Sequence, residues 1–232
     1  AGENLNPQVS IWPVTSAQHP RPQVAMNHQI GDGGNLENTG ILPVLQRGVK
    51  HIVAMLNSDI QTSLSADFCS DNPSYDVDGK ITEMFAQLFG FNKKASQVVF
   101  NTHNQVFHSR HFLPFACELQ TLKKNGKPQF IHKNLTVVDN TWWGIKGGWT
   151  VDIAFFLLDK ATDFEHQLPW DVQGALALGP AGGLFNFPNF KTMFQNLLDL
   201  TFYSPRQVNL LAAQTAWSLL NHETTLKEVL GA

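Results

Sequence analysis

GDGGNLENTGILPVLQRGVKHIVAMLNS, running from Gly31 to Ser58, is the stretch whose reading decides the fold class. Gln23 to Ile30 before it reads as a short strand, and Gly31, Gly33 and Gly34 with Asp32 and Asn35 break that strand with a tight loop. Asn38-Thr39 then precede Ile41, Leu42, Val44, Leu45 and Val49, a spacing that predicts a short amphipathic helix ending near Gly48. From His51, HIVAMLNS reads as a buried strand. Strand, loop, helix and strand in that order over 23–58 predict a βαβ unit of an α/β protein, with the working loops at the strand carboxyl ends.

Outward from this segment, residues 1–22 hold Pro7, Pro13, Pro20 and Pro22 among polar residues and predict an extended lead-in. Residues 58–80, rich in Ser, Asp and Asn, read as a long excursion. A helix near 81–89, a strand near 96–101, a helix or irregular stretch over 104–122 and a strand near 128–139 follow. TWWGIKGGWTVDIAFFLLD from Thr141 stays open between strand and helix, because its apolar run has no clean period. C-terminal helices are predicted within 186–222: one over Asn189–Thr201, the other over Pro205–Leu220, where Ser204 is the N-cap and Pro205 the first-turn proline. The whole of 1–232 reads as one domain, or as one chain of a larger two-chain domain.

Composition narrows the function classes. The 232 residues are 43% hydrophobic and only 15% charged, below the roughly 25% usual for soluble domains, and they include 17 Phe and 6 Trp. Such a chain buries a large apolar area, which excludes a disordered protein. A net charge of −3 and no basic run beyond the pairs Lys93-Lys94 and Lys123-Lys124 leave no electrostatic footprint for nucleic acid. No apolar stretch reaches the roughly 20 residues of a spanning helix, so no transmembrane anchor is expected. Cys69 and Cys117, far apart in sequence, suggest neither a disulfide framework nor a CxxC site, which leaves the compartment open. Asn134-Leu135-Thr136 has the glycosylation-acceptor pattern and would permit a secretory route, although such triplets often arise by chance. The opening Ala1-Gly2-Glu3-Asn4, without Met or an apolar leader, predicts a processed chain or part of a longer precursor.

The Gly31–Ser58 stretch resembles the aspartate segment of the patatin and cytosolic phospholipase A2 superfamily. The residues that carry the likeness are Asp32-Gly33-Gly34, Asn38, Pro43-Val44-Leu45, Arg47-Gly48 and the strand around Ile52-Val53. The resemblance implies a Ser-Asp dyad for acyl transfer from lipid esters, with Asp32 as the catalytic aspartate. Gly31, Gly33 and Gly34 would shape the loop and Asn38 would hold it. It further implies the C-terminal portion of a patatin-like three-layer sandwich, here with additional α+β elaboration, since most of the chain beyond Ser58 lies outside the likeness. The chemistry requires no cofactor and no metal, although calcium assists membrane docking in some relatives. The plain alternative is a βα turn in which Asp32 caps the next helix.

The family's nucleophile lies upstream of the aspartate in a G-x-S-x-G elbow, and no serine here is flanked that way. Gly144–Gly148 and Gly179–Gly183 contain no serine and lie downstream. The serine is therefore expected on a separate N-terminal chain of the same precursor. The alternatives are a catalytically inactive relative that binds a lipid, pigment or other hydrophobic ligand, and a structural subunit. Trp142, Trp143, Phe185 and Phe187 are candidate walls of an apolar pocket, with ALALGPAGGLFNFPNF from Ala175 as a lid over it, though core packing also explains aromatics. His108 and His111 at i, i+3, with His103 nearby, suggest a zinc site only weakly: no HExxH pattern accompanies them, and a polar helix face explains them as well. Arg110 beside them suits a carboxylate or phosphate, or an ordinary surface.

Overall fold

A computed structural model describes residues 8–11, 24–29, 37–58, 60–73, 75–91, 103–190 and 203–231. Gly31, Asp32, Gly33 and Gly34 lie outside the described residues, as do the strand expected near 96–101 and 191–201 of the first C-terminal helix. The chain divides into two compact units, Ala1–Asn38 and Thr39–Ala232.

In the first unit, strand β1 (Gln8–Ile11) pairs antiparallel with strand β2 (Met26–Gln29), Gln8 opposite Gln29 and Ile11 opposite Met26. The strand expected within Gln23–Ile30 is there, and the lead-in contributes its partner. Among the described residues β2 pairs with β1 alone, and Asp32 with the loop around it, through which the expected βαβ unit runs, lies outside them. MNHQ lacks the continuous apolar run of a strand buried on both faces, which suits a two-stranded antiparallel pairing.

The second unit is a mixed α/β structure. Helix α1 (Ile41–Gln46) buries Ile41, Leu42 and Leu45, and strand β3 (His51–Leu56) follows it. Among the described residues, the excursion beyond β3 has no regular element until helix α2 (Glu83–Gln87). Helix α3 (Phe112–Lys124) comes after a 3-10 turn at Ser109–His111. Its buried Phe112, Phe115, Ala116 and Leu119 repeat at helical spacing, and Lys123 and Lys124 suit the negative end of its dipole. Gly126, at φ 73°, ends α3: its N–H reaches Lys123 O and the Lys127 N–H reaches Leu122 O, a Schellman closure. Strands β4 (Gln129–Thr136) and β5 (Thr150–Leu157) follow.

The sheet order is β3-β5-β4, with β5 parallel to β3 (Ile52 opposite Ile153) and antiparallel to β4 (Phe130 opposite Phe156). β5 is central, and its near-continuous burial from Val151 to Leu157 is what a strand covered on both faces requires. The block left open from Thr141 thus resolves into a turn closed by Asn140 and Ile145, followed by this strand. Along β5, Val151, Ile153, Phe155 and Leu157 enter the main core with α1, α2 and α3. There Phe85 meets Phe155 edge-on at 5.3 Å and Phe89 at 5.1 Å. Each fully buried phenylalanine contributes about 1.5–3 kcal/mol through removal of its ring from water.

Alternate residues of the same strands, Ala154, Phe156 and Phe130, pack on the opposite face against Val229. Val229 belongs to helix α7 (Glu223–Leu230), which follows helix α6 (Pro205–Leu220). Ser204 caps α6 as expected, in a full capping box with Gln207, and α7 is a helix not anticipated from the sequence. Between β5 and α6, helices α4 (Thr162–Glu165) and α5 (Trp170–Ala177) and a 3-10 turn at Gly179–Gly182 build a smaller cluster around Phe164, Leu184, Phe187 and Leu210.

Cys69 and Cys117 form a disulfide with Cα atoms 4.9 Å apart, which corrects the expectation that they form no disulfide framework. Folding lays the excursion against α3, so a separation of 48 residues is no barrier.

Candidate functional site

The described end of the aspartate segment is locally determined. The Thr39 hydroxyl accepts the Ile41 N–H at 3.0 Å, and Gly40 at φ 70° turns the chain into α1, a conformation that favours glycine. Arg47 donates from Nη1 to Pro43 O at 2.6 Å. Asn38 is exposed.

β3 and β5 run in the same direction and end together at Leu56 and Leu157, the end at which α/β sheets place ligands. The Asn189 carboxamide ties the two exits, its Nδ2 donating to Ser58 O and to Leu158 O at 2.7 Å each. Asp159, just past β5, is buried and fully occupied. Its Oδ1 accepts from Lys123 Nζ at 2.7 Å and the Lys160 N–H at 2.6 Å. Its Oδ2 accepts from the Thr62 N–H at 2.6 Å and Gln129 Nε2 at 2.7 Å. A carboxylate with four donors has no lone pair to spare for a substrate proton, so Asp159 is a structural anchor.

Beside this anchor opens a cleft of about 490 Å3, within the usual range for a small-molecule site. Leu176, Leu184, Phe185 and Phe187 form its apolar wall, and Lys160, Glu165 and His166 its polar side. Lys160 Nζ lies 3.3 Å from Glu165 Oε2, so the polar side carries a neutralised pair. Phe187 is 5% exposed and fixed in the smaller cluster, while Phe185 is 54% exposed at the mouth. Asn186 between them adopts φ 64°, the left-handed conformation that asparagine tolerates, and so turns the two rings to different environments.

The four aromatics expected to share a pocket therefore divide. Phe185 and Phe187 line the cleft; Trp142 and Trp143 belong to the β4–β5 connection. Trp142 is 66% exposed and stacks on His103 at 4.5 Å, and the Trp143 indole N–H donates to Asn104 Oδ1 at 3.0 Å. Both are held by the turn at Asn140, whose side chain accepts the Trp143 N–H and donates to His103 O and Gln105 O. Lys160, Glu165 and His166 were not singled out from the sequence; the one available signal was their place directly after a buried apolar strand.

His108 and His111 lie around the 3-10 turn with ring centroids 6.5 Å apart. Burial holds the His111 pKa below its ordinary value of 6.5, with further lowering from the Arg110 charge and from His108. Among the described residues, no group of three or more His, Cys, Asp or Glu side chains converges to hold a metal ion. No helix among them is long and apolar enough to cross a membrane. At the other end of the sheet, Asp152 joins His132 at 2.6 Å and His51 at 3.8 Å across three strands.

No family model matches this chain, and no curated protein or solved structure matches it either.

Proposed function

We propose that this chain is the aspartate-bearing part of a lipid acyl hydrolase, the C-terminal portion of a patatin-like three-layer sandwich whose serine comes from a separate N-terminal chain of the same precursor. The observation that carries the reading is the sequence from Asp32 to Val53, which resembles the patatin and cytosolic phospholipase A2 group and whose described part forms helix α1 and strand β3, the latter parallel to β5. Two further features support it. β3 has no strand on its outer edge among the described residues, which leaves room for a partner's strand. The cleft beside the end of β5 has an apolar wall of Leu176, Leu184, Phe185 and Phe187, the kind of surface that receives a hydrophobic ligand.

In this reading the Asp32 carboxylate accepts the proton of the partner's serine hydroxyl as the oxygen attacks the ester carbonyl. Backbone amides hold the resulting oxyanion. Collapse breaks the carbonyl–alkoxide bond, and the leaving alcohol takes the proton from Asp32. Water then attacks the acyl-serine ester by the same route, releasing the fatty acid. Gly31, Gly33 and Gly34 let backbone and substrate approach closely, and Asn38 holds the loop.

The deciding experiment treats native material with a fluorophosphonate that labels activated serines and reads the denatured chains by intact mass. A second polypeptide carrying the adduct supports the hydrolase. Asp32→Asn is expected to lower its esterase kcat by at least about a hundredfold, the range for removal of a general base. Full activity in that variant would sink the dyad.

The second reading, a catalytically inactive relative that binds a hydrophobic ligand, is favoured by the cleft alone. It predicts saturable binding of a fluorescent fatty acid that Phe187→Ser weakens and Asp32→Asn leaves unchanged.

A further inference from the structure

Asn134, Leu135 and Thr136 occupy the last three positions of β4, an outer strand of the sheet. The side-chain alternation of a strand sends Leu135 one way and its two neighbours the other. Leu135 is buried in the main core, whereas Asn134 and Thr136 are both exposed. On their face the covering layer, among the described residues, packs on Phe130 and Phe156 and leaves this end of the strand exposed. The two side chains that the N-x-Thr acceptor pattern requires thus stand together in solvent, two residues apart on one surface. No other Asn-x-Ser/Thr triplet without an intervening proline occurs in the sequence.

Independently, the Cys69–Cys117 disulfide joins the irregular excursion to α3. Disulfides form and persist where proteins are secreted or pass through an oxidising lumen, which is also where oligosaccharide is transferred to asparagine. Neither feature alone decides anything: the triplet recurs by chance, and a disulfide says nothing about sugar. Together they place an accessible acceptor in a chain that carries the mark of the right compartment.

We propose that Asn134 is an N-glycosylation site. The donor is an oligosaccharide linked through its anomeric carbon to a lipid diphosphate. The Asn134 Nδ2 forms a bond to that carbon as the carbon–oxygen bond to the diphosphate breaks, the lipid diphosphate leaves with the bonding pair, and the amide gives up one proton. A glycan at this position shields the outer edge of β4, which has no strand partner among the described residues beyond the isolated bridge at Val137. Such an edge otherwise invites pairing with other chains. The inference does not depend on the hydrolase reading.

The test uses protein purified from its native source, analysed by non-reducing intact mass before and after an amidase that releases N-linked glycans. The expected result is a chain heavier than its sequence mass that on treatment falls to that mass save for the amide-to-acid change at position 134, with no free thiol. A chain with Asn134 unmodified overturns the proposal, whether its two cysteines are bonded or free. As a second readout, Thr136→Ala made in the same host is expected to lose the glycan while keeping the disulfide; a glycan retained in that variant also overturns it.

Discussion

Lys123 Nζ lies 2.7 Å from Asp159 Oδ1, joining the last turn of α3 to the residue beyond the end of β5 with side chains only 9% and 2% exposed. Lys123 also donates to Thr62 O at 2.8 Å, so one ammonium fixes the excursion, the helix and the exit of the central strand. Removal of either charge leaves the other buried without its counter-ion. Lys123→Met and Asp159→Asn are each expected to lower unfolding free energy by about 3–5 kcal/mol in urea titrations. A loss under about 1 kcal/mol in both would show that the pair is not the anchor of the cleft.

The disulfide is expected to stabilise the fold chiefly by restricting the unfolded chain. Cys69→Ser combined with Cys117→Ser should lower stability by about 2–4 kcal/mol, and reductant should lower the wild-type midpoint while leaving that of the double variant unmoved. Equal midpoints with and without reductant in the wild type would contradict the bond.

Gly174 in α5 and Gly182 in the turn after it predict opposite outcomes. A Cβ on Gly182 would stand 1.8 Å from Ala175 O, so Gly182→Ala must shift the backbone turn against α5 and should cost about 1–3 kcal/mol. Gly174, inside α5, has nothing within 4 Å of that position, and Gly174→Ala should raise stability by about 0.5–1 kcal/mol. Thermal midpoints moving in the same direction would show that α5 and the turn are packed differently.

His111 should titrate below 6.5, because burial, then Arg110, then His108 disfavour its charged form. A histidine whose folded pKa is depressed adds stability that is present above its unfolded pKa and lost as pH falls through the folded pKa. Arg110→Gln should raise the pKa only part of the way back, since burial is the larger cause. Proton NMR of the ring against pH reads this directly, and a His111 titrating above 6.5 would overturn the account.

Much of the local structure was legible in the sequence. The helical spacing of Ile41, Leu42 and Leu45, the Ser204-Pro205 start of α6 and the apolar run of β3 each encode their element within one or two turns of chain, where side-chain periodicity and capping chemistry suffice. The block from Thr141 was ambiguous because a strand buried on both faces has no polar alternation to betray its period.

What the sequence by itself determined is a subset of the elements, among them α1, β3 and α6, and the apolar balance that demands a large core. Pairing was decided only by the tertiary structure: β3 lies beside β5, about a hundred residues on, and β2 beside β1, because strand partners are chosen by hydrogen bonds and burial between segments that no local pattern links. The same holds for the Cys69–Cys117 bond and for the cleft, whose lining brings Gln61 beside Lys160, Glu165 and Phe187. A one-dimensional pattern records which face of an element is apolar; which other face covers it is settled by packing in three dimensions.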